Sequence, residues 1–214
     1  MSHTCYLPAK ERKPLSDEDL YVYDMESAQV ASDRGVLTHE CNCVCVRKVY
    51  PTTPEEQAGV SFDNEIDFME ALKDPKGPYK NGVFIAHNGG GYDALFLLRV
   101  IERWDMPHKC VPSPSSDHKF LSIQLEEQNI TFLDSMRFIP GSLRGIAESF
   151  GCSVAKGDFP HRFNDGKSLD YVGPIPPHEE DTDYWCQRTA RNEKQQKEWH
   201  EWYQTQCEKY CTCW

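Results

Sequence analysis

A strand–turn–helix at residues 83–104 constrains the fold of this chain more than any other feature. Val83–Ala86 is a short apolar run, three glycines follow at 89–91, and YDALFLLRVIERW then has the apolar spacing of a helix. The glycines allow the backbone to turn and to pass close to another group. Because strand-like and helix-like segments alternate elsewhere too, the sequence predicts an α/β fold.

Shorter patterns predict the remaining elements. Strand-like composition predicts strands at 20–26, 36–49, 119–125 and 130–133. Helical spacing predicts helices at 63–73, 142–151 and about 189–206. We interpret SAQVASDRG, between the first two strands, as a turn. In the first helix we expect Asp63 as the cap and an apolar face formed by Ile66, Met69 and Leu72.

Composition limits the classes of function. The 214 residues carry a net charge of −11, so non-specific coating of duplex DNA through phosphate neutralisation is excluded. No apolar run is long enough for a membrane span, and the first residues lack the apolar core of a secretory signal. We therefore expect an intracellular protein that is not secreted and has no membrane partner.

We divide the chain into a polar lead-in (1–18), one domain (19–183) and an aromatic, polar helical tail (184–214).

The ten cysteines are expected to be free thiols, because no secretory signal accompanies them. Cys41, Cys43 and Cys45 alternate as residues on one face of a strand do, and we interpret them as buried small apolar residues. Zinc-ligating residue types also occur with irregular spacing near the end of the sequence, at His200, Cys207, Cys211 and Cys213. Whether those four bind zinc stays open.

Three acidic residues on two separate elements are the candidate reactive groups. Asp24 and Glu26 are two residues apart on a strand, so both side chains leave the same face. Asp93 stands in the first turn of the helix that follows the glycines. Adjacent carboxylates repel each other unless a cation lies between them. If the fold brings the three together, they can hold two divalent ions that promote phosphodiester hydrolysis.

The motifs around these acids resemble those of family B DNA polymerases, and specifically the protein-primed branch. YVYDMES resembles the first exonuclease motif, Asp-x-Glu, and AHNGGGYD resembles the second, Asn-x-x-x-Phe/Tyr-Asp. The similarity continues, in order, through FLDSMRFIPGSLRGIAESFG, AKGDFPHRFN, DYW and WHEWY, over about residues 18–206. It implies a ribonuclease-H-like exonuclease fold, a mixed central sheet flanked by helices, attached to a polymerase domain.

The resemblance also implies residue roles and partners. Asp24, Glu26 and Asp93 would bind Mg²⁺ or Mn²⁺, and Lys156 would steady developing phosphate charge during catalysis. The positions that would hold the 3′ end of single-stranded DNA are Ser27, Asn88, Tyr92, Ser135 and Phe159. Ser135 departs mildly from the family, because Met rather than Leu follows it. Asp134 is interpreted as structural, and His87 either borders the site or is held by backbone. A terminal protein and a polymerase domain are further expected partners.

The third family motif, Tyr-x-x-x-Asp, is not matched. Tyr210 and Cys211 resemble its start, but Trp214 stands where the acid is expected. We therefore expect a fragment or degenerate copy of a DNA-directed DNA polymerase, incomplete at the C-terminus, with little exonuclease activity alone. One alternative is a non-enzymatic module that binds single-stranded nucleic acid or a protein. The other is a stand-alone 3′–5′ exonuclease completed by an acid such as Asp165, Asp170 or Asp181.

Overall fold

Among the residues that it describes, a computed structural model of the chain contains seven strands and five α-helices. The structure describes residues 20–31, 35–74, 76–113, 119–152, 159–164, 171–178, 184–185 and 192–210. The strands are β1 (Leu20–Ala31), β2 (Leu37–Lys48), β3 (Val60–Phe62), β4 (Val83–Ala86), β5 (His108–Pro112), β6 (Phe120–Leu125) and β7 (Ile130–Asp134). The helices are α1 (Pro54–Ala58), α2 (Glu65–Lys73), α3 (Tyr92–Arg103), α4 (Leu143–Ser149) and α5 (Glu193–Tyr210).

The strands form one mixed sheet with the order β3-β2-β1-β4-β7-β6-β5. The central strands β1, β4 and β7 are parallel to one another, and the outer pairs are antiparallel. Parallel neighbours need a crossover, and α3 lies in the connection from β4 towards β7. The predicted α/β architecture, including the hairpin of β6 and β7, is confirmed.

Alternation along β1 separates the core from the exposed face. Tyr21, Tyr23 and Met25 are buried, whereas Val22 and Asp24 are exposed. On the buried side, the rings of Phe68 and Phe84 pack edge-to-face with centroids 5.8 Å apart. This aromatic core therefore fixes which face of β1 carries the acids.

The expected turn after residue 26 is wrong, because β1 continues to Ala31. A bulge lies where Glu26 pairs with Cys43 and Ser27 pairs with Cys41, which leaves Asn42 as the extra residue. The expectation that Cys41, Cys43 and Cys45 are buried together on one face is also wrong, because the bulge shifts the alternation between Cys41 and Cys43. Cys41 belongs to the buried core, Cys43 is half-buried and Cys45 is exposed.

Helix α2 differs from its prediction in its cap and its buried face. Asn64, not Asp63, caps the helix by accepting a hydrogen bond from the backbone N–H of Asp67. Met69 and Leu72 are buried as predicted, but Ile66 is exposed and Phe68 takes its place in the core. The Phe68 ring packs against the rings of Phe84 and Phe132 in the sheet, which is why this position of α2 is buried.

The remaining differences are whole elements as well as element ends: helix α1, in a stretch expected to be a loop, and strand β3 were not predicted. Strand β5 was not predicted, and α5 begins at Glu193 and ends at Tyr210, later than expected. Within the described part of the chain, no helix has the length and apolarity required to cross a bilayer. The division at residues 18 and 183 stays a prediction.

Candidate functional site

An open cleft of about 840 Å³ lies beside the part of β1 that extends past the end of β4. Six of the nine predicted site residues line it: Asp24, Glu26, Ser27, Asn88, Tyr92 and Asp93. They come from β1, from the glycine turn and from the start of α3. The position of the cleft follows from the topology. Strand β4 pairs with β1 only up to Val22, and the chain then leaves the sheet in the glycine turn.

The three acids of the cleft differ in burial. Asp24 is exposed, Glu26 is half-buried, and Asp93 is only 7% exposed. Burial, followed by the negative charge of Asp24, raises the pKa of Asp93 to about 6. Hydrogen bonds from the backbone N–H groups of Asp93 and Met25 act in the opposite direction. The cleft thus holds two carboxylates that repel each other, an arrangement that a bound cation would relieve.

Carboxylate oxygens are the ligands that Mg²⁺ and Mn²⁺ prefer, so the donor chemistry of the cleft fits a hard divalent ion. The described residues nevertheless contain no group of three His, Cys, Asp or Glu side chains arranged to hold a metal ion. Glu26 instead faces His161, whose Nδ1 lies 3.8 Å from Oε2 of Glu26. Of the four residues considered for zinc, Cys211 and Cys213 lie outside the described residues.

Asp134 stabilises the glycine turn by accepting hydrogen bonds from its backbone. Its buried carboxylate accepts hydrogen bonds from the backbone N–H groups of Asn88 at 2.8 Å, Gly90 at 3.3 Å and Met136 at 2.9 Å. At Gly90 a β-carbon would lie 2.3 Å from the carbonyl oxygen of Phe120, so only glycine fits there. This geometry agrees with the structural role expected for Asp134.

His87 and Ser135 support one rim of the cleft. His87 lines the cleft, and its Nε2 donates to the carbonyl oxygen of Gly141 at 2.9 Å. Its Nδ1 lies 2.9 Å from Oγ of Ser135. Ser135 is therefore placed behind His87 and does not line the cleft itself.

The segment 159–164 forms another side of the cleft, through His161, Arg162 and Asn164. Phe159 is exposed and stands outside the lining, with its ring centroid 5.1 Å from that of His161. Lys156 lies outside the described residues, as do the alternative acids Asp165, Asp170 and Asp181.

Sequence analysis missed several polar contacts to the predicted residues, among them those of His161 with Glu26, of Asn164 with Ser27, of Lys119 and of His39. Lys119 donates from Nζ to Oδ1 of Asn88 at 2.8 Å. His39, on β2, also lines the cleft, and its Nδ1 lies 2.5 Å from the hydroxyl oxygen of Tyr92. No local pattern marks either residue, because each meets its partner only after the sheet has formed.

Comparison with known proteins identifies relatives of the chain. The family described as DNA polymerase type B, organellar and viral, matches residues 76–212. A probable DNA polymerase of Agaricus bitorquis is 26% identical over 139 residues, which cover 62% of this chain and 16% of that protein. A probable DNA polymerase of Podospora anserina is 25% identical over 145 residues, covering 46% and 12%. The chain thus spans less than a fifth of these relatives.

A solved structure shows the same fold. Phi29 DNA polymerase, in a complex with single-stranded DNA, superposes with a TM-score of 0.50 at 14% identity. The superposition covers 78% of this chain and 28% of the phi29 protein. This likeness confirms the predicted ribonuclease-H-like arrangement of a mixed sheet with helices.

Proposed function

The chain belongs to the organellar and viral type B DNA polymerases, and from that membership we propose that its cleft binds the 3′ end of single-stranded DNA together with divalent ions. The proposal rests on one observation. The residues that match the two exonuclease motifs lie in separate parts of the sequence, at 24–27 and 88–93. In the structure they line a single cleft. The convergence places three carboxylates and the hydrogen-bonding side chains of Ser27, Asn88 and Tyr92 where one DNA end and its metal ions would bind.

Each residue has a role in this proposal. Asp24, Glu26 and Asp93 would hold Mg²⁺ or Mn²⁺, ions that polarise a phosphodiester and lower the pKa of water when bound. Tyr92, 39% exposed, offers its ring to a base or sugar. Ser27 and Asn88 offer hydrogen-bonding groups beside it. Lys156 would approach the phosphate, and Ser135 and Phe159 would support the rim from outside the lining.

We further propose that this chain alone turns over DNA slowly. The described lining of the cleft contributes three carboxylates, whereas the family's exonuclease site uses four. Losing one ligand weakens both ion binding and the alignment of the attacking water.

Proofreading during DNA replication would then depend on the polymerase portion of such a protein, and a terminal protein would be a second partner. Residues 19–183 would form the exonuclease domain, in an intracellular protein.

The test is a degradation and binding assay with 5′-labelled single-stranded DNA and Mn²⁺. We expect the chain to retard the strand while leaving it intact, and Asp24→Ala to retard it less. Glu70→Gln, an exposed acid on α2, is the matched control and should behave as the unsubstituted chain. Failure of the unsubstituted chain to bind would overturn the proposal. A 3′–5′ ladder that Asp24→Ala does not make would show a complete exonuclease site, with an acid such as Asp165, Asp170 or Asp181 as the fourth ligand.

One observation favours a second function, a binding module without metal chemistry. Glu26 lies 3.8 Å from Nδ1 of His161, and the described residues contain no group of three ligating side chains arranged to hold a metal ion. Such a module would bind single-stranded DNA equally well with Mn²⁺ or with a chelator. The metal-dependent site instead predicts that the chelator weakens binding.

A further inference from the structure

A polar cluster of three side chains joins β1, β2 and α3 at the mouth of the cleft. The hydroxyl oxygen of Tyr92 lies 2.5 Å from Nδ1 of His39 and is also hydrogen-bonded to Oγ of Ser27. The Ser27 oxygen is itself 3.5 Å from Nδ1 of His39. Both Ser27 and Tyr92 are proposed DNA contacts, so His39 touches the two groups that would receive the strand.

The far side of the imidazole is also held. Nε2 of His39 lies 3.3 Å from Nε2 of Gln29, its cross-strand neighbour. With the Gln29 amide donating, Nε2 of His39 is the acceptor and Nδ1 carries the proton. Nδ1 then donates to the Tyr92 oxygen, and the Tyr92 hydroxyl is free to donate to Ser27. A single orientation of the His39 imidazole therefore holds the Tyr92 hydroxyl in place.

The orientation of the Tyr92 ring depends on these hydroxyl contacts. It is 39% exposed and stands in the first turn of α3, where it packs edge-to-face on Phe96 with centroids 5.2 Å apart. This contact holds the inner part of the ring, and the hydroxyl contacts hold its outer end. The His39 and Tyr92 rings meet edge-to-face with centroids 5.6 Å apart, and both residues line the cleft.

From this geometry we infer that His39 is a positioning residue for single-stranded DNA: it fixes Tyr92 and Ser27 in the orientation that receives the 3′-terminal nucleotide. The inference rests on the proposed function of the cleft. His39 itself need not touch DNA. A ring held in advance loses less conformational entropy when a base stacks on it, so affinity rises.

The test is a double-mutant cycle on the affinity for a short 5′-fluorescein oligothymidylate, measured by anisotropy with Ca²⁺ in place of Mg²⁺. We expect His39→Phe to weaken binding roughly threefold to tenfold, the range for one hydrogen bond. Tyr92→Phe should have a similar effect, and the double variant should bind no worse than Tyr92→Phe alone. His39→Asn, whose amide occupies the place of Nδ1, should restore most of the affinity. A purely structural role for His39 would produce neither the coupling nor the rescue.

His108→Ala is the control, because His108 is an exposed residue of edge strand β5 outside the cleft lining. It should bind as the unsubstituted chain does, and all variants should share its melting temperature. Additive effects of His39→Phe and Tyr92→Phe would overturn the inference while leaving the proposed function intact. Absence of binding by the unsubstituted chain would overturn both.

Discussion

Asn42 and Asn164, 122 residues apart, exchange side-chain hydrogen bonds across the rim of the cleft. Asn42 donates from Nδ2 to Oδ1 of Asn164, and Asn164 donates in return to Oδ1 of Asn42 at 3.1 Å. Asn42 is the extra residue of the bulge in β2, so the bulge contributes to holding segment 159–164 against the sheet, together with a hydrogen bond from Asn164 to the carbonyl oxygen of Ser27. That segment carries His161, which faces Glu26.

Replacement of Asn42 should therefore loosen segment 159–164. We expect Asn42→Ala to lower the free energy of unfolding by about 1–2 kcal/mol, the cost of two amide hydrogen bonds in a half-buried place. Amide hydrogen exchange should accelerate in 159–164 and remain unchanged in α3. Asn164→Ala should match it, and the double variant should lose no more than either single one. Unchanged exchange in the segment would show that other contacts hold it.

Asp93 makes the stability of the chain depend on pH. Because burial and the charge of Asp24 raise its pKa to about 6, the ionised carboxylate is less favourable in the folded state than in the unfolded state. Its contribution to stability is therefore greatest below pH 4, where both states are protonated, and is lost as the pH rises through about 6.

Asp93→Asn should remove that pH dependence. We expect the variant to be more stable than the unsubstituted chain by roughly 1–3 kcal/mol at neutral pH, and equally stable below about pH 4. Urea unfolding across this pH range measures the difference. A variant that is less stable at neutral pH would mean that the backbone hydrogen bonds to the carboxylate outweigh its burial.

The elements of the cleft were predictable to different degrees. Val83–Ala86, the glycines and α3 have strong local patterns, and the alternation of Tyr23, Asp24 and Met25 already assigned the acids to one face. The contact between His39 and Tyr92 joins residues 53 apart, so it required the register of β1 against β2. The bulge at Asn42 determines that register. A bulge interrupts the alternation of a strand, so periodicity in the sequence does not predict where it lies.

Divalent ions should stabilise the chain through the proposed metal ligands. An ion present at about a hundred times its dissociation constant adds about 2.7 kcal/mol to folding. We expect Mn²⁺ to raise the melting temperature by several degrees at neutral pH, and by less at pH 5, where protons compete for Asp93. Asp24→Asn should abolish the increase, and Glu70→Gln should keep it. An equal increase in both variants would indicate binding elsewhere on this acidic protein.

Asp134 should stabilise the glycine turn without binding the ions. Its carboxylate is 1% exposed and accepts from three backbone N–H groups, so Asp134→Ala leaves buried donors unsatisfied. We expect a loss of roughly 2–4 kcal/mol in urea unfolding, against less than about 0.5 kcal/mol for Asp63→Ala, an exposed acid before α2.

The response of Asp134→Asn to Mn²⁺ separates support of the turn from metal binding. The amide keeps one acceptor oxygen for the turn but provides no negative charge. If Asp134 only holds Asn88 and Gly90, the variant should be destabilised and its melting temperature should still rise with Mn²⁺ by the same number of degrees. A lost Mn²⁺ response in a variant that remains folded would instead make Asp134 a metal ligand, and would provide the proposed site with its fourth carboxylate.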